Sequence, residues 1–196
     1  MKLTNKFNVP LSLAIWLAHD EYQHSDDPKV ISATSLLKPL KSLILSQQCT
    51  SGEVDISELI NSRMGTAIHT AIEHAWSSKA LLDTMESLGL PQGLRDRVLF
   101  NPDPKDVTED VIPIYMEQRK TRDIEGWKIT GQFDFICNGK LEDFKSTGTY
   151  NWINQSNKDK YIQQASIYRW LFSDIITQDL FSINYIFTDW SSVKAR

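Results

Sequence analysis

Cysteine is scarce in this chain of 196 residues, long apolar runs are absent, and there is no excess of positive charge. Each shortage removes a class of protein. Two cysteines, Cys49 and Cys137, cannot build a disulfide framework, a structural zinc site or an iron–sulfur cluster, so both are expected to be small buried residues. No apolar stretch approaches the length that spans a bilayer, so no membrane partner is expected. Residues 11–18, behind Lys2 and Lys6, form a short amphipathic stretch closed by His19-Asp20-Glu21, with no small-residue cleavage site after it. They read as a helix rather than a signal peptide, which places the chain in the cytoplasm. A net charge of −4 argues against a protein that coats nucleic acid nonspecifically, because that affinity comes from neutralising phosphates. It leaves room for acidic metal ligands beside a local basic rim, for which Arg119, Lys120, Arg122, Lys158 and Lys160 are the candidates; each of these also reads as an ordinary solvated charge.

What is present suits one well-packed α/β domain: 41% of residues are hydrophobic, and there is no internal repeat, low-complexity block or linker. Pro10 suits the first turn of a helix through residues 11–18. Ser32-Ala-Thr34-Ser35 precedes a second helical segment interrupted near Pro39. Asp55 with Glu58 is a capping pattern that opens a long helix whose stripe runs through Ile60, Met64, Ile68, Ile72 and Ala75. Helices are expected over 80–88 and 93–100, before Asn101-Pro-Asp-Pro104 breaks the pattern. A strand then covers Val111 to Tyr115 and ends near Arg119, and a second runs from Trp127 to Ile136. The Asn138-Gly139 hairpin turn leads to a third strand over 140–145. A helix over 158–172 and a strand over 181–187 follow. The chain stops at Arg196 soon after, leaving room for flanking helices beyond it.

The hairpin carries the sharpest chemistry. Residues two apart on a strand share a face, so Asp143 and Lys145 point together while Phe144 points into the core. The turn also brings Asp134 beside Asp143. Two adjacent carboxylates call for a cation between them, and oxygen-rich sites suit Mg²⁺ or Mn²⁺. A D-x-K triplet alone reads first as a surface Asp–Lys ion pair, because such triplets are common. On the long helix, His69 has Glu73 on the same face at i+4, and Gly65, Ala67 and Ala71 allow close approach to another element. Tyr161, Gln164 and Tyr168 form a stripe on the later helix, or else the margin of an amphipathic one.

In order, these pieces are Gly65 to His69, Gly131 to Asp134, Asp143 to Lys145, and Gln164 to Tyr168. The set resembles the RecB-like exonuclease branch of the PD-(D/E)XK nucleases, with its G-x-x-x-H helix, G-x-x-D strand, (D/E)-x-K strand and Q-x-x-x-Y helix. Ser32-Ala-Thr34-Ser35-Leu is similar to the opening of such domains. The resemblance implies a restriction-endonuclease-like core over residues 32–190, a mixed central sheet flanked by helices, behind a helical N-terminal segment at 1–31. His69, Asp134 and Asp143 would bind Mg²⁺ or Mn²⁺, with the Phe144 carbonyl a further donor. Lys145 would position the attacking water and offset charge on the phosphate, so that Asp134, Asp143 and Lys145 form the catalytic set. Glu73 and Glu117 are expected at outer positions. Gln164 and Tyr168, with Tyr161 beside them, would hold DNA. The activity implied is hydrolysis of DNA phosphodiesters, as an exonuclease in end processing, recombination or phage replication. No P-loop is present, so unwinding would need a helicase or recombination partner. The alternatives are a DNA-binding or assembly module of the same fold and a metal-dependent hydrolase with another substrate.

Overall fold

The architecture follows from strands whose two faces are both apolar. The computed structural model describes residues 2–20, 25, 27–48, 52–189, 191 and 193. Its strands are β1 (Lys2–Thr4), β2 (Val30–Ser32), β3 (Glu53–Asp55), β4 (Val98–Phe100), β5 (Ile112–Met116), β6 (Arg119–Ile124), β7 (Trp127–Gln132), β8 (Phe135–Cys137), β9 (Lys140–Thr147) and β10 (Phe181–Phe187). Its helices are α1 (Leu11–Ala18), α2 (Ala33–Leu36), α3 (Leu40–Gln48), α4 (Ile60–Ser77), α5 (Leu81–Ser87), α6 (Gln92–Arg95), α7 (Thr149–Ile153) and α8 (Lys158–Leu171). The central sheet has the order β10-β9-β8-β5-β4. β10 runs parallel to β9 and β4 parallel to β5, while β8 is antiparallel to both of its neighbours.

Alternation along these strands separates two cores. Tyr115, Ile136 and Leu141 face one way and pack with Phe133 against Ala165, Tyr168 and Leu171 of α8. Ile114, Met116 and Phe135 face the other way, where Phe144 and the Ile72 and Trp76 side chains of α4 pack on them. Helices thus cover both faces of a mixed sheet, and the fold is mixed α/β. Phe133 meets Phe172 edge to face at 4.7 Å, and Trp76 lies 5.0 Å from Phe135. Among the described residues, no helix is long and apolar enough to cross a membrane.

A smaller sheet, β2-β7-β6, leans on the first. Its β6–β7 hairpin turns at Glu125 and Gly126, with φ of 48° and 84°, and the β8–β9 hairpin turns at Asn138 and Gly139, with φ of 47° and 79°. Left-handed backbone at both central residues matches the twist of antiparallel strands. The Asn-Gly turn expected from the sequence is therefore present, and a Glu-Gly turn of similar shape was not anticipated.

Several boundaries differ from expectation. The strand expected over 127–136 breaks at Phe133-Asp134, so β7 and β8 belong to different sheets. The charged run after Arg119 is a strand, β6, whose Lys120 and Arg122 lie over the Phe172 and Trp170 rings and end on Asp174 and Ser173, so its inward residues are charged and a hydrophobic pattern misses them. The helix expected over 93–100 is only α6, followed by β4 on the sheet edge beside β5. Asp55 does act as a cap, accepting from the Ser57 N–H at 3.1 Å, but of a 3-10 turn over Ile56–Leu59 that leads into α4. On α4 the inward stripe is Gly65, Ile68, His69, Ile72 and Trp76, while Ile60 and Met64 are exposed. The break at Pro39 separates α2 from α3, and Ser32 caps α2 through the Ser35 N–H. Cys137 is half-buried, and Cys49 lies outside the described residues.

Candidate functional site

Strand register sets three carboxylates in one row. Met116 pairs with Phe135, and Phe135 with Glu142, across β5, β8 and β9. One step further along, Glu117 just past β5 and Asp134 just before β8 come into line with Asp143 inside β9. The Glu117 N–H donates to the Asp134 carbonyl at 3.3 Å, and the Phe144 N–H donates to Asp134 Oδ2 at 2.8 Å. The break between β7 and β8 is therefore what delivers Asp134, because the chain leaves one sheet there and enters the other. Glu117 has φ of 51°, left-handed backbone that a residue with a long side chain seldom adopts. This conformation ends β5 and brings the carboxylate toward α4.

α4 contributes His69 by a close helix–strand crossing. A Cβ at Gly65 would lie 3.3 Å from Ser146 Oγ, so the absence of a side chain there lets α4 sit low on β9. One helical turn later, His69 Nε2 is 3.1 Å from the Phe144 carbonyl, which leaves Nδ1 facing the carboxylates. Nδ1 is 3.5 Å from Asp134 Oδ1 and 3.9 Å from Glu117 Oε1. Ligand atoms of His69, Glu117 and Asp134 all lie within 4.8 Å of one another. Glu117, expected at the periphery, is thus in the innermost group. Phe144 holds the imidazole through its carbonyl. Glu73 lies further out along the cleft and adds negative charge near Glu117.

Asp143 occupies the adjoining position. Its buried Oδ2 meets the Lys145 ammonium at 2.6 Å and has no other partner among the described residues. Burial pushes its carboxyl up to about 6, with Asp134 adding to the rise and Lys145 opposing it. Burial likewise raises Glu117, against the hydrogen bond that Gln132 donates to it at 2.7 Å. A hydrogen bond to Asp134 raises His69 despite desolvation, because the carboxylates favour a cation at the ring. The cluster stores negative charge that a positive group would relieve.

A cleft of about 1570 Å³ opens over this cluster, lined in part by His69, Glu117, Arg119, Lys145 and Tyr168. Lys145 also lies over the Tyr161 ring, 5.6 Å from its centre. Gln164 and Tyr168 are buried, at 8% and 5% exposure, and Gln164 Nε2 donates to the Tyr168 hydroxyl at 3.0 Å. Of the two, Tyr168 alone lines the cleft. Their pairing supports the site from beneath: a Cβ on Gly131 would come within 2.6 Å of Leu171 Cδ1 and 3.0 Å of Tyr168 Cε1. The glycine of the G-x-x-D segment and the tyrosine of the Q-x-x-x-Y segment are thus one packing contact. Of the basic candidates, Arg119 lines the cleft and binds Gln132, whereas Lys120 and Arg122 are engaged with Asp174 and Ser173. Lys158 and Lys160 are exposed in the first turn of α8. The sequence held one signal for Glu117, an acidic residue immediately after an apolar strand, but its partner strand was visible only after folding.

No protein-family model matches the chain, and no match was found among curated proteins or solved structures.

Proposed function

We propose that this chain is a divalent-metal-dependent deoxyribonuclease with a restriction-endonuclease-like core of the RecB-like PD-(D/E)XK kind. The observation that carries this reading is convergence: His69, Glu117, Asp134, Asp143 and Lys145, from separate parts of the chain, gather at one end of the central sheet below a cleft. A surface Asp–Lys pair would need none of the other three.

The donor set fits Mg²⁺ or Mn²⁺. Two ligands at about 2.1 Å from one such ion sit roughly 3 Å apart when adjacent and roughly 4 Å apart when opposite. The 3.5 and 3.9 Å separations around His69 Nδ1 lie between these limits. His69, Glu117 and Asp134 would hold the ion, with Asp143 completing the group. When bound, the ion supplies charge neutralisation at the phosphate and acidifies water. The Phe144 carbonyl fixes the ring that presents Nδ1, as groups behind metal ligands commonly do. Lys145 is held by Asp143 with its ammonium at the cleft, where it orients water and offsets charge developing on the phosphate. The cleft exceeds the about 300–1,000 Å³ usual for small ligands, which suits a polymer. Duplex opening falls to a separate helicase or recombination partner.

Cleavage of end-labelled single- and double-stranded DNA, with Mg²⁺, Mn²⁺ or EDTA, tests the proposal. Metal-dependent cleavage abolished by EDTA is expected. DNA binding without cleavage in any metal would replace the enzyme with a binding module of the same fold.

A further inference from the structure

The sheet face that carries Asp143 and Lys145 continues onto β10. Parallel register sets Tyr185 beside Lys145 and Phe187 beside Thr147, so both rings project on that face. Aromatic groups follow one another outward from the site. Lys145 Nζ is 5.6 Å from the Tyr161 ring centre, and Tyr161 is 6.4 Å from Tyr185. Tyr185 stacks on Phe187 at 6.1 Å with 7° between the planes, and Phe187 meets Trp152 of α7 at 6.2 Å. None of these four rings belongs to either core cluster. Tyr161, Tyr185 and Phe187 are half-buried, Trp152 is 54% exposed, and β10 forms an edge of the sheet. Lys158 and Lys160 stand exposed around Tyr161, with Asp159 between them, and Lys158 lies one turn before Tyr161 on the same helix face. At the far end the Asp189 carboxylate accepts from the Thr149 N–H at 2.8 Å.

We propose that this aromatic row is a stacking platform for the unpaired bases of single-stranded DNA, leading a strand end toward Asp143 and Lys145. Its direction rests on the nuclease reading; the binding itself does not. Every base offers a π-face, so a row of rings holds a single strand without regard to sequence, while nearby lysines meet its phosphates. Duplex bases are stacked on one another and have no face free for such a row.

The test is fluorescence anisotropy of labelled oligo-dT on the full chain, at low salt with EDTA present so that nothing is cut. Trp152→Ala is expected to weaken binding about five- to a hundredfold, the scale of one lost base–aromatic stack, with Trp152→Phe retaining most of the affinity. Trp127→Ala, which removes a ring that is 44% exposed at the start of β7 and outside the row, is expected to bind as the wild type does. The platform is overturned if wild-type protein fails to bind oligo-dT, if Trp152→Ala binds equally well, or if Trp127→Ala weakens binding as much. A chain that binds oligo-dT in this pattern yet cuts no DNA keeps the platform and loses the nuclease reading. Cleavage with Trp152→Ala binding unimpaired does the reverse.

Discussion

Replacing Gly131 with Ala adds a single methyl group at the contact between β7 and α8, and the geometry sets what it must displace. The new Cβ would lie 2.6 Å from Leu171 Cδ1 and 3.0 Å from Tyr168 Cε1, well inside van der Waals contact. Gly131 is not at positive φ, so alanine is permitted by the backbone and the whole effect is steric. Leu171 is fully buried and Tyr168 is 5% exposed, so neither moves without disturbing the core around Phe133 and Phe172. Overpacking of this kind costs about 1–3 kcal/mol. For a chain of this length, that lowers Tm by about 2–12 °C. Denaturant unfolding and calorimetry read the change, and Gly131→Val should be worse than Gly131→Ala. If Gly131→Ala melts within a degree of wild type and Gly131→Val does too, α8 does not sit on Gly131 and the support assigned to Tyr168 is wrong.

Glu117→Gln should weaken Mn²⁺ binding at least as much as Asp134→Asn does, and far more than Glu73→Gln, in calorimetric titration; equal affinity for Glu117→Gln and wild type would return Glu117 to the periphery. Tyr168→Phe removes the acceptor for a buried Gln164 N–H and should cost about 1–3 kcal/mol in denaturant unfolding, whereas an unchanged midpoint would leave the hydroxyl without a structural part. Asp55 is held down to about 2, first by the Lys6 N–H at 2.6 Å and then by Ser57. Because its folded pKa lies below the ordinary carboxyl value, its contribution to stability is complete above about pH 4 and is lost as pH falls through about 2. Asp55→Asn should therefore be less stable than wild type at neutral pH, with the gap closing in acid; a constant gap across that range would refute the linkage.

The parts legible in the sequence were those fixed by neighbours along the chain. The Asn138-Gly139 turn needs only its own backbone, and from it the adjacency of Asp134, Asp143 and Lys145 follows directly. The cap at Asp55 and the break at Pro39 are local in the same way. The closeness of Glu117 to His69 and Asp134 was not legible because it depends on β5 pairing with β8 across an intervening hairpin, which no local pattern encodes. β6 escaped notice because its own residues, Arg119 to Asp123, are charged or polar and carry no apolar alternation, although it pairs with the adjacent β7. For Gln164 and Tyr168 the sequence left open a DNA-holding stripe or the margin of an amphipathic helix, because a polar stripe looks alike in either setting; their burial and mutual hydrogen bond appear only in the fold.

On the proposed function Lys145, held by Asp143 at 2.6 Å, acts on the phosphate in the transition state. The most direct measurement is single-turnover cleavage of end-labelled DNA in saturating Mn²⁺ by wild type and Lys145→Ala, with DNA affinity measured on the same preparations. Removing one preorganised electrostatic group should slow cleavage about a hundredfold or more while affinity changes little, and Lys145→Arg should restore little because its shape differs and it cannot act as a base. Wild-type protein that cuts DNA no faster than Lys145→Ala would leave Lys145 without a part in cleavage.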